Sequence, residues 1–294
     1  MHSLAYLFRQ SAQGASLLLG ALLATACTET KTPDIPAPVV TPAATNAEAR
    51  DYAQYTEMVW SDEFNGAGPA DGSKWIYDTG NNNGWGNNEL ESYTTSTDNV
   101  FQNGGNMVIQ ALKNGSSYTS GRILTKSKQN FQFGRIDVRA KLPKGKGLWP
   151  AIWMLGSDID QNNWPKCGEI DIMEAMGQRP NQFLSTMHFA DGSGSHFYEG
   201  TSWIDLADDD FHTYSMVRSK DQMRFYVDGK QYYTFTPSNT GSKMYPFNNN
   251  FFVILNVAVG GNFLGPNGSG NPDGSTVFPQ QMQVDYVRYL QYKQ

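Results

Sequence analysis

The 294-residue chain predicts an all-β domain, and three observations carry that prediction. Aromatic residues reach 13% and glycines number 29, a composition that suits many short strands joined by turns. Alternating apolar and polar residues run through Arg135–Leu142, Met223–Val227 and Gln283–Tyr289, the period of a half-buried strand. No long stretch has convincing helical periodicity, and no fixed-period repeat points to a solenoid or propeller.

The elements follow from local chemistry. Asp228-Gly229 directly after Met223–Val227 is a strong hairpin signal, because both turn positions tolerate positive φ. Phe251-Phe-Val-Ile-Leu255, running into Asn256-Val-Ala-Val-Gly260, is apolar without alternation and predicts a strand buried on both faces. One large core in residues 53–294 is within the ordinary size of a single all-β domain.

The first 52 residues are different material. Arg9 precedes Ala15–Ala24, a small and apolar stretch too short to span a bilayer, which reads as an export signal. It ends at Thr25-Ala26-Cys27 and resembles a bacterial lipoprotein signal, which implies that residues 1–27 are the signal and that Cys27 is lipidated. Residues 28–52, rich in Pro, Thr and Ala, predict an extended tether. The expected location is the cell envelope, anchored to the outer membrane by lipid alone, with plain secretion as the alternative. Cys167 is then left without a partner, so no internal disulfide is expected, and no neighbouring His equips it as a nucleophile. It reads as a packing or cleft-wall residue.

Charge narrows the partners. The whole chain carries −6, and so does the part after Arg50, because the first fifty residues hold three bases and three acids. A mildly acidic domain is a poor match for nucleic acid or sulfated polysaccharide, and a neutral ligand is the easier fit.

Chemistry concentrates in Cys167-Gly-Glu-Ile-Asp-Ile-Met-Glu-Ala-Met-Gly177, where Glu169, Asp171 and Glu174 sit among apolar residues. Burying acids there is costly. As a strand, Glu169 and Asp171 share one face and Ile170 and Ile172 the other. Glu174 lies at an odd offset and would point to the apolar side unless a β-bulge near Ile172-Met173 restores it. A helix does worse, since about 100° per residue leaves Glu169 and Glu174 roughly 140° apart. With the bulge, their backbones stand roughly 13 Å apart, a gap that two long Glu side chains can narrow. Crowding three carboxyls should raise at least one pKa. Paired carboxyls at about 5–5.5 Å serve retaining glycoside hydrolysis. A metal site is the competing use, but the run lacks the Gly-turned, Asp/Asn-spaced loop of calcium sites.

At this point the run Glu169-Ile-Asp-Ile-Met-Glu174 resembles the active-site strand of glycoside hydrolase family 16, in the version with one inserted residue that laminarinases carry. Similarity extends through Trp60–Phe64, Gly84–Leu90, Gly147–Met154, Ser185–Phe189 and Val284–Arg288. It implies a jelly-roll sandwich of two antiparallel sheets with a concave cleft, and retaining endo-hydrolysis of 1,3-linked β-glucan. Glu169 would attack, Glu174 would act as acid and base, and Asp171 would hold Glu169. The alternatives left open are a mixed-linkage glucanase or agarase of the same family, and a carbohydrate-binding lectin without catalysis.

The resemblance also assigns substrate contacts. Trp149 and Trp153, four residues apart and so on one strand face, would lie beside the cleaved bond, where flat rings stack on sugar C–H faces. Trp85, Asn88 and Glu89 would serve outer subsites, and Arg122 the non-reducing side. His188 would sit on the neighbouring strand, near enough to tune protonation, whereas His2, His196 and His212 have no comparable context. Catalysis would need no cofactor. A structural calcium is implied at backbone oxygens of Glu63 and Gly105 and the carboxylate of Asp285, although Asp285 could instead pair with Arg288. A monomer is expected.

Overall fold

The computed structural model describes residues 46–293, so the signal, Cys27 and most of the tether lie outside the described residues. Two sheets are stacked as a jelly-roll sandwich. In the first, strands run in the order Lys230–Phe235, Met223–Val227, His212–Arg218, Gly134–Lys141, Gln280–Tyr292, Met107–Asn114, Val100–Asn103 and Ala67–Gly68, with Tyr55–Asp62 also pairing to Gln280–Tyr292. The second runs His196–Gly200, Gln182–Ala190, Glu169–Ala175, Leu148–Gly156, Phe251–Val259, Arg122–Leu124 and Ile76–Tyr77. Pairing is antiparallel except where Glu91–Tyr93 runs parallel to Ser117–Ser120.

The expected strands are present for the expected reasons. Asp228 and Gly229 adopt positive φ (51° and 75°) and close the hairpin between Met223–Val227 and Lys230–Phe235. Phe251–Val259 is buried at every position, as its unbroken apolar run requires. It pairs on one side with Leu148–Gly156 and on the other with Arg122–Leu124. Ile109, Ile136, Val138 and Val287 from one sheet meet Ile152, Met154, Ile170, Met187 and Leu255 from the other in one core. Each such side chain contributes about 1.5–3 kcal/mol by leaving water.

The folded body begins earlier than composition suggests. Asn46 is buried, and its Oδ1 accepts the Tyr292 N–H at 2.9 Å. The Lys220 N–H donates to the Ala47 carbonyl at 2.8 Å, Arg224 reaches the Arg50 carbonyl, and the Arg135 guanidinium lies 4.0 Å from the Tyr52 ring centroid. Residues 46–52 therefore belong to the folded body. Their contacts use backbone groups and single polar side chains, which leave no apolar periodicity to read.

Candidate active site

The strand Glu169–Ala175 carries a bulge where the sequence requires one. Against Leu148–Gly156, Met173 pairs with Ile152 and Asp171 with Trp153, so Ile172 is the extra residue. On the other side Asp171 pairs with Thr186 and Glu174 with Leu184, again with a register shift between them. Ile172 and Met173 both turn into the core, fully buried. Two successive core-facing residues put Glu174 back on the face of Glu169 and Asp171.

Register extends that face across the sheet. Residues directly opposite share a side, so Leu155, Glu169, His188 and Tyr198 form one row, and Trp153, Asp171, Thr186 and Gly200 a second. A third row holds Arg122, Asn256, Ala151, Glu174 and Leu184. From the strand of Arg122 to that of Tyr198 there are five interstrand spacings, roughly 24 Å.

The acids are enclosed by hydrogen-bond donors. Trp164 Nε1 donates to Glu169 Oε2 at 2.9 Å, and Trp149 Nε1 donates to Glu174 Oε1 at 3.1 Å. His188 Nε2 lies 3.1 Å from Asp171 Oδ2 and 3.6 Å from Glu169 Oε1. Burial is the main cause of the raised pKa in all three. It pushes Glu169 and Glu174 each up to about 8, helped by the neighbouring Asp171 and opposed by His188. Asp171, almost without solvent exposure, is raised well above the usual carboxylate range by burial alone. Burial thus favours the protonated form of all three carboxyls, and an ionised Asp171 would raise the two glutamates further. Each glutamate accepts one indole N–H, and His188 favours the ionised form of both.

Aromatic residues flank the acids. Trp149 stacks on Phe263 with centroids 4.7 Å apart. The Arg122 guanidinium lies between the rings of Trp85 (4.8 Å) and Trp153 (4.7 Å), with Nε 3.0 Å from Asp78 Oδ2. Trp85 itself sits at φ 51° in a left-handed turn, a costly conformation for a large side chain. Asn81 holds that turn: its Oδ1 accepts from Gly84 N–H at 3.0 Å, and its Nδ2 donates to the Glu89 and Glu91 carbonyls at 3.1 and 2.7 Å. Gly84 has no room for a Cβ, which would stand 3.0 Å from the Glu89 nitrogen.

A directed chain of hydrogen bonds ties these groups together. Trp153 Nε1 donates to Asn256 Oδ1 at 2.7 Å, Asn256 Nδ2 to Tyr93 Oη at 3.1 Å, and Tyr93 Oη to Glu89 Oε2 at 3.3 Å. Glu89 is buried beside this chain, while Asn88 is exposed and donates to Asn262 Oδ1 at 2.9 Å.

Trp164, His196 and Glu91 escaped the sequence reading. His196 Nε2 lies 2.8 Å from His188 Nδ1, so the context it lacked in sequence is supplied in space. The turn Asp191-Gly-Ser-Gly194 was the available signal, because a hairpin there pairs His188 with Tyr198 and brings His196 alongside. Glu91 is fully buried, accepts the Val259 N–H at 2.7 Å, and is pushed well up by burial and by Glu89. Cys167 is buried among Leu124, Leu155, Phe252 and Ile254, and burial raises its thiol to about 12, which suits packing and not attack.

The calcium expectation gains no support. Asp285 pairs with Arg139 at 2.6 Å and not with Arg288, which forks onto Glu63 at 3.0 and 2.7 Å. The carboxylate meant to carry an ion's charge is already engaged by a guanidinium. Among the described residues, three ligating side chains converge only at Glu169, Asp171 and His188, within 4.8 Å of one another.

Residues 87–288 match the model of glycosyl hydrolases family 16. This chain belongs to that family. A glucan endo-1,3-beta-glucosidase A1 from Niallia circulans is 42% identical to this family 16 chain, over 79% of it and 37% of the relative. A beta-glucanase from Rhodothermus marinus is 38% identical, over 84% of this chain and 89% of the relative. The laminarinase catalytic domain from Thermotoga maritima superposes with a TM-score of 0.71 at 37% identity, covering 81% of this chain and 99% of that one. The family 16 body is thus that of a glycoside hydrolase.

Proposed function

We propose that this family 16 enzyme cuts internal 1,3-linkages of neutral β-glucan with net retention of anomeric configuration. The observation that carries the reading is the bulged strand, which sets Glu169, Asp171 and Glu174 on one face. Glu169, ionised and bonded by Trp164, attacks the anomeric carbon while Glu174 protonates the departing glycosidic oxygen. A glycosyl ester on Glu169 results. Glu174, now a carboxylate, takes a proton from water, which attacks the same carbon and frees Glu169. His188 stands between Asp171 and Glu169, 3.1 Å from Asp171 Oδ2 and 3.6 Å from Glu169 Oε1, and helps to position the attacking carboxyl, and carboxyl chemistry of this kind needs no cofactor.

Substrate class is supported by the site's surroundings and by its relatives. Trp149 and Trp153 offer stacking faces beside the acids, and Arg122, Trp85 and Glu89 continue the row away from them. A face roughly 24 Å long suits several sugar units and hence endo-action. Two of the relatives above bear the names endo-1,3-beta-glucosidase and laminarinase. The deciding experiment incubates the purified protein with laminarin, lichenan, cellulose and agarose. Preferred release of oligosaccharides from laminarin supports the reading, agarose cleavage without laminarin cleavage replaces the substrate, and binding without cleavage points to a lectin.

Lipid attachment at Cys27, a cell-envelope location and a monomeric state complete the proposal. The mass of the mature amino terminus and partition into detergent test the anchor, and light scattering the oligomeric state.

A further inference from the structure

The bulge that delivers Glu174 creates a problem inside the core. An extra residue leaves a carbonyl without its ladder partner, and a buried carbonyl without a donor is costly. Ile172 is the extra residue here, and its carbonyl is reached by side-chain hydroxyls. Opposite it stands Ser185, whose own backbone groups face the other way: its N–H donates to Thr201 Oγ1 at 3.1 Å and its carbonyl accepts the Thr201 N–H at 2.9 Å.

Side chains make up the deficit. Ser185 Oγ, fully buried, donates to the Ile172 carbonyl at 2.7 Å. Tyr232 Oη lies 2.7 Å from Ser185 Oγ and 3.4 Å from the same carbonyl, so one orientation serves every group: Tyr232 donates to Ser185, and Ser185 to Ile172. Tyr232 comes from Lys230–Phe235 in the other sheet, and Phe183 fixes its ring edge-on at 5.4 Å. Burial raises the Tyr232 phenol far above its ordinary range, so it remains a donor at every working pH.

We infer that Ser185 and Tyr232 are positioning residues for the reaction, a clamp across the sandwich that fixes the Ile172 carbonyl and so sets the reach of Glu174 toward Glu169. Neither residue touches substrate; both act through the peptide two residues before the acid. The inference rests on the acid–base role given to Glu174 above. Without the hydroxyls the peptide between Ile172 and Met173 turns freely, and the proton donor loses its aim at the glycosidic oxygen.

The test compares Tyr232→Phe, Ser185→Ala and Ser185→Thr with the unaltered enzyme on two substrates. Laminarin has a poor leaving group that needs a proton, whereas a dinitrophenyl β-glucoside of a laminarin disaccharide leaves without one. Since a misplacement of ~1 Å costs on the order of 100-fold, a partial loosening should lower kcat on laminarin about tenfold. KM on laminarin should hold within about twofold, and kcat/KM on the activated substrate, which reports formation of the glycosyl-enzyme alone, should lose no more than about twofold. The alkaline limb of the laminarin profile should move, and Ser185→Thr, which keeps a hydroxyl, should recover most of the activity. Equal losses of kcat/KM on both substrates, or an unchanged kcat and pH profile on laminarin with only a lower Tm, would overturn the clamp. Failure of the unaltered enzyme to cut either substrate would instead strike the functional reading itself.

Discussion

Replacing Trp164 with Phe removes one N–H from the site and little else. The indole donates to Glu169 Oε2 at 2.9 Å, while its ring also packs against His196 with centroids 4.5 Å apart, a contact that Phe can largely keep. A hydrogen bond to a charged group contributes about 1.5–3 kcal/mol, and the lower end applies because Trp164 is 44% exposed. At about 1.4 kcal/mol per pH unit, losing ~1.5 kcal/mol raises the Glu169 pKa by roughly one unit. The sign is fixed: the lost donor favoured the anion, so the acid limb of kcat/KM, which reports ionisation of the attacking carboxyl, moves toward higher pH. Below that limb, kcat/KM on laminarin should fall about tenfold, while the alkaline limb, set by Glu174, stays in place and the active window narrows. Initial rates from pH 4 to pH 10 would read both limbs; an acid limb that stays put, or moves down, would refute the assignment of Glu169 as the attacking anion.

Two other variants probe other parts of the account. Glu174→Gln should lower kcat on laminarin by about 10²–10⁴. It should also raise Tm more at pH 9 than at pH 5, because a buried carboxyl held near 8 keeps in the folded state a proton that the unfolded chain releases near 4.5, so its cost to the fold grows as pH rises from about 4.5 and is complete above about 8. An equal Tm change at both pH values would mean that burial does not penalise this carboxylate. Starting the chain at residue 53 should lower Tm by about 5–10 °C relative to a start at residue 46, since several hydrogen bonds of ~1 kcal/mol each are lost and each kcal/mol lowers Tm by roughly 2–4 °C. Coincident melting curves would return residues 46–52 to the tether.

Sequence made the centre of the site legible because its signal is local. Glu169, Asp171 and Glu174 follow the strand period, and the single odd offset has one economical remedy, the bulge that pairs Met173 with Ile152 and Asp171 with Trp153. Trp149 and Trp153 obey the same period, and the Asp228-Gly229 hairpin is written in two residues. Where contact depends on remote pairing, the reading ran short. His196 meets His188 only through a hairpin register, Trp164 reaches Glu169 from an irregular loop, and Glu91 gains its partner Val259 from a strand far along the chain. The clustered asparagines mixed two jobs, with Asn81 bracing the turn from within and Asn88 exposed on its outside. Asp285 was read as an ion ligand or a partner of Arg288, yet Arg139 on the neighbouring strand takes it, a choice of cross-strand partner that sequence spacing does not encode.

The central claim, that the bulged strand of three acids performs double displacement on 1,3-linked glucan, is tested most directly by proton NMR of the first products released from laminarin. The account predicts that the β-anomer of the new reducing end appears first and then mutarotates toward equilibrium. Initial release of the α-anomer would mean a single inverting displacement and would contradict the pairing of Glu169 with Glu174.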